Sequence, residues 1–158
     1  MKSRRYLGLA GLIAVFVVLA DQLSKIEVRA NISVGERVEV IGPLEFTHTH
    51  NDGVAFGMAS GGGIVVILLS LGALVALGAF LAHAPRSRSV WIASGLILGG
   101  AVGNLVDRIN QGYVTDFVLL PHWPAFNVAD SAITVGAIMM MVDVLFLDRE
   151  DRHANQAG

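Results

Sequence analysis

Two aspartates, Asp116 and Asp130, bracket the stretch FVLLPHWPAFNVA, and the second lies just inside a strongly apolar run. A carboxylate in or beside lipid is costly and marks an ion path, a relay or a catalytic group. Two carboxylates a few ångströms apart cannot both ionise cheaply, so the pair shares one proton. The charged member then acts as base toward a water, and the protonated member donates to a carbonyl oxygen. That is amide hydrolysis without a covalent intermediate, with apparent pKa values that belong to the pair. Pro121 and Pro124 supply turns that would fold the intervening loop back and bring the two acids together.

Other chemistries fit less well. A Ser-Lys hydrolase needs a lysine within reach of a serine. Lys2 and Lys25 are the two lysines, and Ser24 and Lys25, being adjacent, do not face each other on a helix; Lys25 and Ser131 is the pairing left open. A zinc hydrolase needs clustered histidines and carboxylates. His48 and His50 alternate on a strand-like segment without a third ligand, and an exposed strand face accounts for them. No metal or organic cofactor is implied. A small ion or proton transporter would want acids spread across the membrane depth, and a non-catalytic assembly subunit would need no paired acids.

Both acids need elements to position them, and composition says what kind. The chain has 158 residues, 54% hydrophobic and 15% charged, well under the roughly 25% charge of a soluble domain. Its mean hydropathy is +0.63, and the apolar residues come in blocks long enough to cross a bilayer. The expected fold is an all-α integral membrane protein, one domain over residues 1–158, with four transmembrane helices over about 6–23, 64–82, 90–106 and 125–147. A net charge of −2 with no dense basic cluster gives no case for nucleic acid. The absence of cysteine removes disulfides and thiolate chemistry.

Residues 1–20 also resemble a cleavable signal peptide, with a basic flank, an apolar run and Val18-Leu19-Ala20; kept as an anchor, the segment completes the set of spans. Residues 34–48 alternate around Gly42-Pro43 and read as two short strands of an extracytoplasmic β-element. Ser60-Gly61-Gly62-Gly63 interrupts the second apolar block, so 54–59 reads as a docked or re-entrant segment. Gly95, Gly99 and Gly103, four apart on one face, predict close approach of a neighbouring helix. Residues 148–158 read as a frayed polar tail. Lys2, Arg4, Arg5, Arg86, Arg88, Arg149 and Arg152 outweigh the basic residues of the other loops, placing both termini in the cytoplasm.

Helix rise then sets depth. At about 1.5 Å per residue, a helix entering at Tyr6 reaches Asp21 after roughly 23 Å, and one entering at Val90 reaches Asn104, Asp107 and Arg108 after roughly 21–27 Å. Asp21, Lys25, Asn51, Asn104, Asp107, Arg108, Asp116, Asn127 and Asp130 therefore share one layer at the outer leaflet. Asp143 lies roughly 20 Å deeper. Asn104, Asp107 and Arg108, together at a helix end, read as a structural clamp.

Five segments carry a resemblance: Asp21-Gln22-x-Ser24-Lys25, Asn51-x-Gly53-x-Ala55-Phe56, Gly99-Gly100-Ala101-x-Gly103-Asn104-x-x-Asp107-Arg108, Val114-x-Asp116-Phe117 and Pro124-Ala125-Phe126-Asn127-x-Ala129-Asp130-Ser131. In that order, over nearly the whole chain, they resemble the bacterial lipoprotein signal peptidases (signal peptidase II). The resemblance implies a four-span aspartic protease of the bacterial inner membrane that cuts prolipoproteins before a diacylglyceryl-modified cysteine. Asp116 and Asp130 match its dyad. Asn51, Asn104, Arg108 and Asn127 match its surrounding polar site, Asp21 and Lys25 its first motif, and Gly53, Asp107 and Ala129 complete the supporting set. Membrane lipid and the peptide antibiotic globomycin are the further partners implied. His50 and Asp52 depart from the residues common at those places, and Asp52 is expected to raise a dyad pKa by like-charge repulsion. From position alone, residues 34–48 and 54–63 are expected to lie over the membrane and help hold substrate.

Overall fold

The computed structural model describes residues 2–53, 62–83 and 87–156. Helix α1 (Lys2–Asn31) leads into a hairpin of β1 (Arg37–Ile41) and β2 (Leu44–Asn51). Helices α2 (Gly62–His83) and α3 (Arg88–Gln111) follow, then β3 (Val114–Leu119) and α4 (Val128–Gln156). The strands form one antiparallel sheet in the order β1-β2-β3. The fold is thus mostly helical with a small sheet. Among the described residues, Arg5–Asn31 and Arg88–Gln111 are long and apolar enough to cross a membrane, with Ile67–Ala79 a shorter apolar helix.

Helix α3 is the centre, packed against α1 on one side and α4 on the other. The glycine stripe does what its spacing predicts. A Cβ at Gly95 would come 2.7 Å from the Ala10 carbonyl oxygen, and one at Gly99 2.8 Å from that of Ala14. A Cβ at Gly103 would meet a side chain instead, 2.7 Å from Asp21 Oδ2. Gly100 and Gly136 perform the same service toward α4, against the Ala129 carbonyl and across to Ala93. Three backbones therefore run close together, and whatever polar groups their outer ends carry must meet.

The hairpin forms where Gly42-Pro43 breaks the alternation. Ile41 pairs with Leu44, and Gly42 takes the positive φ (54°) that a two-residue hairpin loop asks of its first position. Helix α3 stops at Gly112, left-handed at φ 82°, whose N–H bonds the Arg108 carbonyl.

Four expectations change. Helix α1 does not end near residue 23 but runs on to Asn31, because Asp21, Lys25 and Arg29, spaced four apart, keep a buried polar stripe on one face. The segment between α3 and α4 is not merely a loop: Val114–Leu119 is a strand, invisible to period-two reading because Val114, Thr115, Asp116 and Phe117 are all buried. The tail is helical through Gln156; its polar residues mark where the apolar run ends without breaking the helix. His48 is not on an exposed face but buried, with Nδ1 donating to the Ile32 carbonyl at 2.9 Å. The docked or re-entrant segment 54–59, and most of 54–63, lies outside the described residues.

Candidate active site

Each acid is held by an element end. Asn127 and Asp130 are the first and last members of a reciprocal cap at the start of α4. The Asp130 N–H donates to Asn127 Oδ1 at 2.8 Å, and the Asn127 N–H to Asp130 Oδ2 at 3.3 Å. The other acid sits on β3, where Asp116 pairs with Thr49 of β2. Asn127 joins the two: the same side chain whose Oδ1 caps Asp130 donates from Nδ2 to Asp116 Oδ1 at 2.7 Å. Asp116 and Asp130 are thereby one residue apart through space, though fourteen apart in sequence.

The second oxygen of Asp116 is held by the sheet. Asn51, at the end of β2, donates from Nδ2 to Asp116 Oδ2 at 2.9 Å. Its own Oδ1 accepts the Gly53 N–H at 3.0 Å, so the amide cannot turn round without losing both bonds. Gly53 has φ 71° there, which a side chain would strain.

Below the acids lies a fully buried ion cluster. Lys25 Nζ is 2.8 Å from Asp21 Oδ2, 3.2 Å from Asp107 Oδ2 and 2.9 Å from Asn104 Oδ1, with no exposed side-chain surface. Two carboxylates around one ammonium would leave a buried negative charge; Arg29 balances it, 3.6 Å from Asp107 Oδ1. Backbone groups meet the remaining valences. Ala129 N–H donates to Asp21 Oδ1 at 2.9 Å and Thr115 N–H to Asp107 Oδ2 at 3.1 Å. Those two bonds tie α4 and β3, and so both acids' neighbours, to α1 and α3.

Asn104 carries this order up to Asp130. Its Oδ1 faces the Lys25 ammonium and also accepts Asn127 Nδ2 at 3.2 Å, which leaves Nδ2 to donate to Asp130 Oδ1 at 2.8 Å. A flipped amide would set NH₂ against an ammonium and oxygen against a carboxylate, so the charges on either side choose its orientation.

Electrostatics marks out Asp116. Burial pushes the Asp116 carboxyl up to about 6, Asp130 adds to that push, and the Asn51 and Asn127 hydrogen bonds and Lys25 pull the other way. Arg108, half-buried, lies in the field of Asp130 first, then Asp116 and Asp107. Of the clamp expected of Asn104, Asp107 and Arg108, the first two join the ion cluster. Asp52 is exposed and lines the cleft with Asp116, but burial, Asn51, Asp130, Asn127 and Lys25 are what set that carboxyl, and the repulsion expected from Asp52 is not among them.

Every site residue named with the resemblance is therefore in or beside one cluster: Asp21, Lys25, Asn51, Gly53, Asn104, Asp107, Arg108, Asp116, Asn127, Ala129 and Asp130. The Lys25–Ser131 pairing fails, since Lys25 is committed as described and Ser131 Oγ donates to the Asn127 carbonyl at 3.0 Å. Among the described residues no three His, Asp or Glu converge to hold a metal ion. Asp143 stays apart, its buried Oδ2 without a partner among the described residues. Three contributors escaped sequence reading. Arg29 also donates to Thr115 Oγ1 at 3.1 Å; Gln22 Nε2 reaches Asp21, Asp107 and the Gly103 carbonyl; Thr115 is fully buried beside Asp116. The i, i+4, i+8 spacing of Asp21, Lys25 and Arg29 was the available signal for the first.

A cleft of about 640 Å³ opens over Asp116, lined by Thr49, Asn51, Asp52, Trp123 and Pro124 among others. Asp116, buried and held by amide donors, lines this cleft, and Asp130 is joined to it through Asn127.

The chain is similar to known proteins over most of its length. The family described as signal peptidase (SPase) II matches residues 13–146. A lipoprotein signal peptidase of Dehalococcoides mccartyi is 42% identical over 130 residues, 79% of this chain and 81% of its own. One from Moorella thermoacetica is 40% identical over 85% of this chain and 91% of its own, and one from Shewanella pealeana 36% identical over 90% and 89%. A bacterial membrane enzyme whose structure was determined by the in meso method at 1.9 Å superposes with a TM-score of 0.83 at 35% identity, covering 87% of this chain and 93% of that one.

Proposed function

Since this chain belongs to the signal peptidase II family, peptide hydrolases that remove the signal peptide from prolipoproteins, we propose that Asp116 and Asp130 are the pair that does so here. The observation that carries the assignment is Asn127, whose one side chain caps Asp130 and donates to Asp116. In the active form the pair holds one proton. Asp116, pushed up to about 6 by burial, keeps it and donates to the scissile carbonyl. Asp130, with two N–H donors and the Arg108 field around it, takes the proton from the attacking water. Collapse of the tetrahedral intermediate returns a proton to the leaving amine, and no atom of the enzyme becomes bonded to substrate.

Membrane placement follows from the same frame. All four helices span the bacterial cytoplasmic membrane, with both termini in the cytoplasm and the acids at the outer leaflet. Supporting this are the two long apolar helices among the described residues and the gathering of the polar residues at one end of α1, α3 and α4. That depth suits a substrate whose lipid stays in the bilayer and whose scissile bond, just before a diacylglyceryl-modified cysteine, lies at its surface. Globomycin is expected to occupy the same cleft and block cleavage.

The test is purified protein in detergent with a diacylglyceryl-cysteine prolipopeptide. Product masses should show a single cut before the modified cysteine, and added hydroxylamine should form no hydroxamate. A hydroxamate would mean a covalent intermediate and overturn the water mechanism. No cleavage by folded protein would reopen the transporter reading.

A further inference from the structure

The cleft over Asp116 does not end at Trp123. Beyond that side chain lies a second cavity of about 570 Å³, bounded by Arg37, Glu45, Leu120, His122 and Trp123. The two share Arg37, Leu119, Trp123 and Pro124, so they adjoin as one groove. We propose that the outer cavity is a subsite for the mature polypeptide, holding the first residues on the far side of the scissile bond; this rests on the peptidase reading above.

Direction supports that occupant. Strand β3 begins at Val114, just past the end of α3, and ends at Leu119, which lines both cavities. From Asp116 to Leu119 is three residues, about 10 Å of strand, which an extended peptide also covers in about three residues. In a lipidated substrate the signal peptide and the acyl chains both stay with the bilayer, and only the mature chain leads outward. A chain cut at Asp116 and running outward therefore reaches Trp123 around its third residue and the outer cavity after it.

The lining is built for contact rather than left over. Trp123 is 63% exposed, large apolar area left in water on an element outside the helices. It is presented by a turn that Trp123 N–H closes on the Leu120 carbonyl at 3.2 Å. His122 within that turn has φ 61°, left-handed for a residue with a side chain and costly to hold. Pro121 and Pro124 flank it and limit the alternatives. Across the groove, Arg37 and Glu45 face each other at 3.8 Å on paired strands, largely exposed on the arginine side. An aromatic wall with one polar pair at its rim grips extended backbone with little demand on side chains.

The test compares two prolipopeptides that differ only past the cysteine, one ending two residues beyond it and one continuing for eight. Wild type should cut the longer with kcat/KM about fivefold to tenfold higher, the effect lying in KM. Trp123→Ala should erase that advantage, bringing kcat/KM on the longer substrate down to that on the shorter. Equal loss on both substrates would make Trp123 a bilayer anchor and overturn the inference. Equal kcat/KM for both in wild type also overturns it, leaving the peptidase reading intact, and cleavage of neither overturns both. A second readout avoids the variant altogether. The chain has two tryptophans, and in Trp91→Phe/Asp130→Asn protein the remaining emission comes from Trp123. Saturating longer substrate should shift it to the blue, whereas no shift, or the same shift with the shorter substrate, contradicts the subsite.

Discussion

Removing the Asn51 amide gives the sharpest quantitative check on the pair. In Asn51→Ala, Asp116 Oδ2 loses a donor at 2.9 Å that favours its ionised form. A hydrogen bond to a charged group is worth about 1.5–3 kcal/mol. Asn51 is itself exposed, so water takes over part of that role and roughly 1 kcal/mol is lost net. At about 1.4 kcal/mol per pH unit, the Asp116 carboxyl should move up by about 0.7 of a unit from its value of about 6. The shared proton is then lost at higher pH, so the alkaline limb of kcat/KM shifts toward higher pH by that amount even as the maximum rate falls. The assay is cleavage of a fluorogenic lipopeptide in detergent from pH 4.5 to 9, wild type beside variant. A limb that stays put or moves down, whatever happens to the maximum, would refute the role assigned to Asp116.

Three further outcomes are expected. Lys25→Met strands Asp21 and Asp107 as buried carboxylates short of a counterion and should cost about 3–5 kcal/mol, seen as a large fall in thermal midpoint that Lys25→Met/Asp21→Asn partly restores; an unchanged midpoint for the single variant would contradict the cluster. Gly103→Ala puts a methyl 2.7 Å from Asp21 Oδ2 and should cost about 1–3 kcal/mol by overpacking, with activity falling alongside stability, measured by denaturation and turnover on one sample. Because the folded Asp116 carboxyl is raised from 3.8 to about 6, its stabilising contribution is complete below about pH 4 and is lost as pH rises through 6. Asp116→Asn should therefore gain on wild type by up to about 3 kcal/mol between pH 4 and pH 8. A stability difference flat across that range would argue against the raised value.

The layer of polar residues was legible because helix rise is a fixed length. Counting from Tyr6 and Val90 sets Asp21, Asn104 and Asp107 at one level along their helices, and the three meet around Lys25. Packing was legible too: glycines four apart can face a neighbour, and Gly95 and Gly99 do. What escaped was whatever depended on both sides being covered. Strand β3 is buried on both faces and offers no alternation; His48 looked exposed because the end of α1 that covers it, at Ile32, is far off in sequence. Helix α1 outran its apolar block because half-buried Arg29 is held by pairing rather than by hydrophobicity. The Asn-x-x-Asp spacing of Asn127 and Asp130 was in plain view as a helix cap, but that the same amide would reach Asp116 depends on β3, which the sequence hid.

The most direct measurement is the rate of prolipopeptide cleavage by Asp116→Asn and Asp130→Asn, each shown by its thermal midpoint to be folded. Asparagine preserves the shape of each site while removing the ability to hold or take the proton. Loss of activity in both, by about a thousandfold or more, is the result expected of a pair in which one acid is base and the other donor. Substantial cleavage by either variant would contradict the pair and transfer attention to the other acids of the cluster, Asp21 and Asp107.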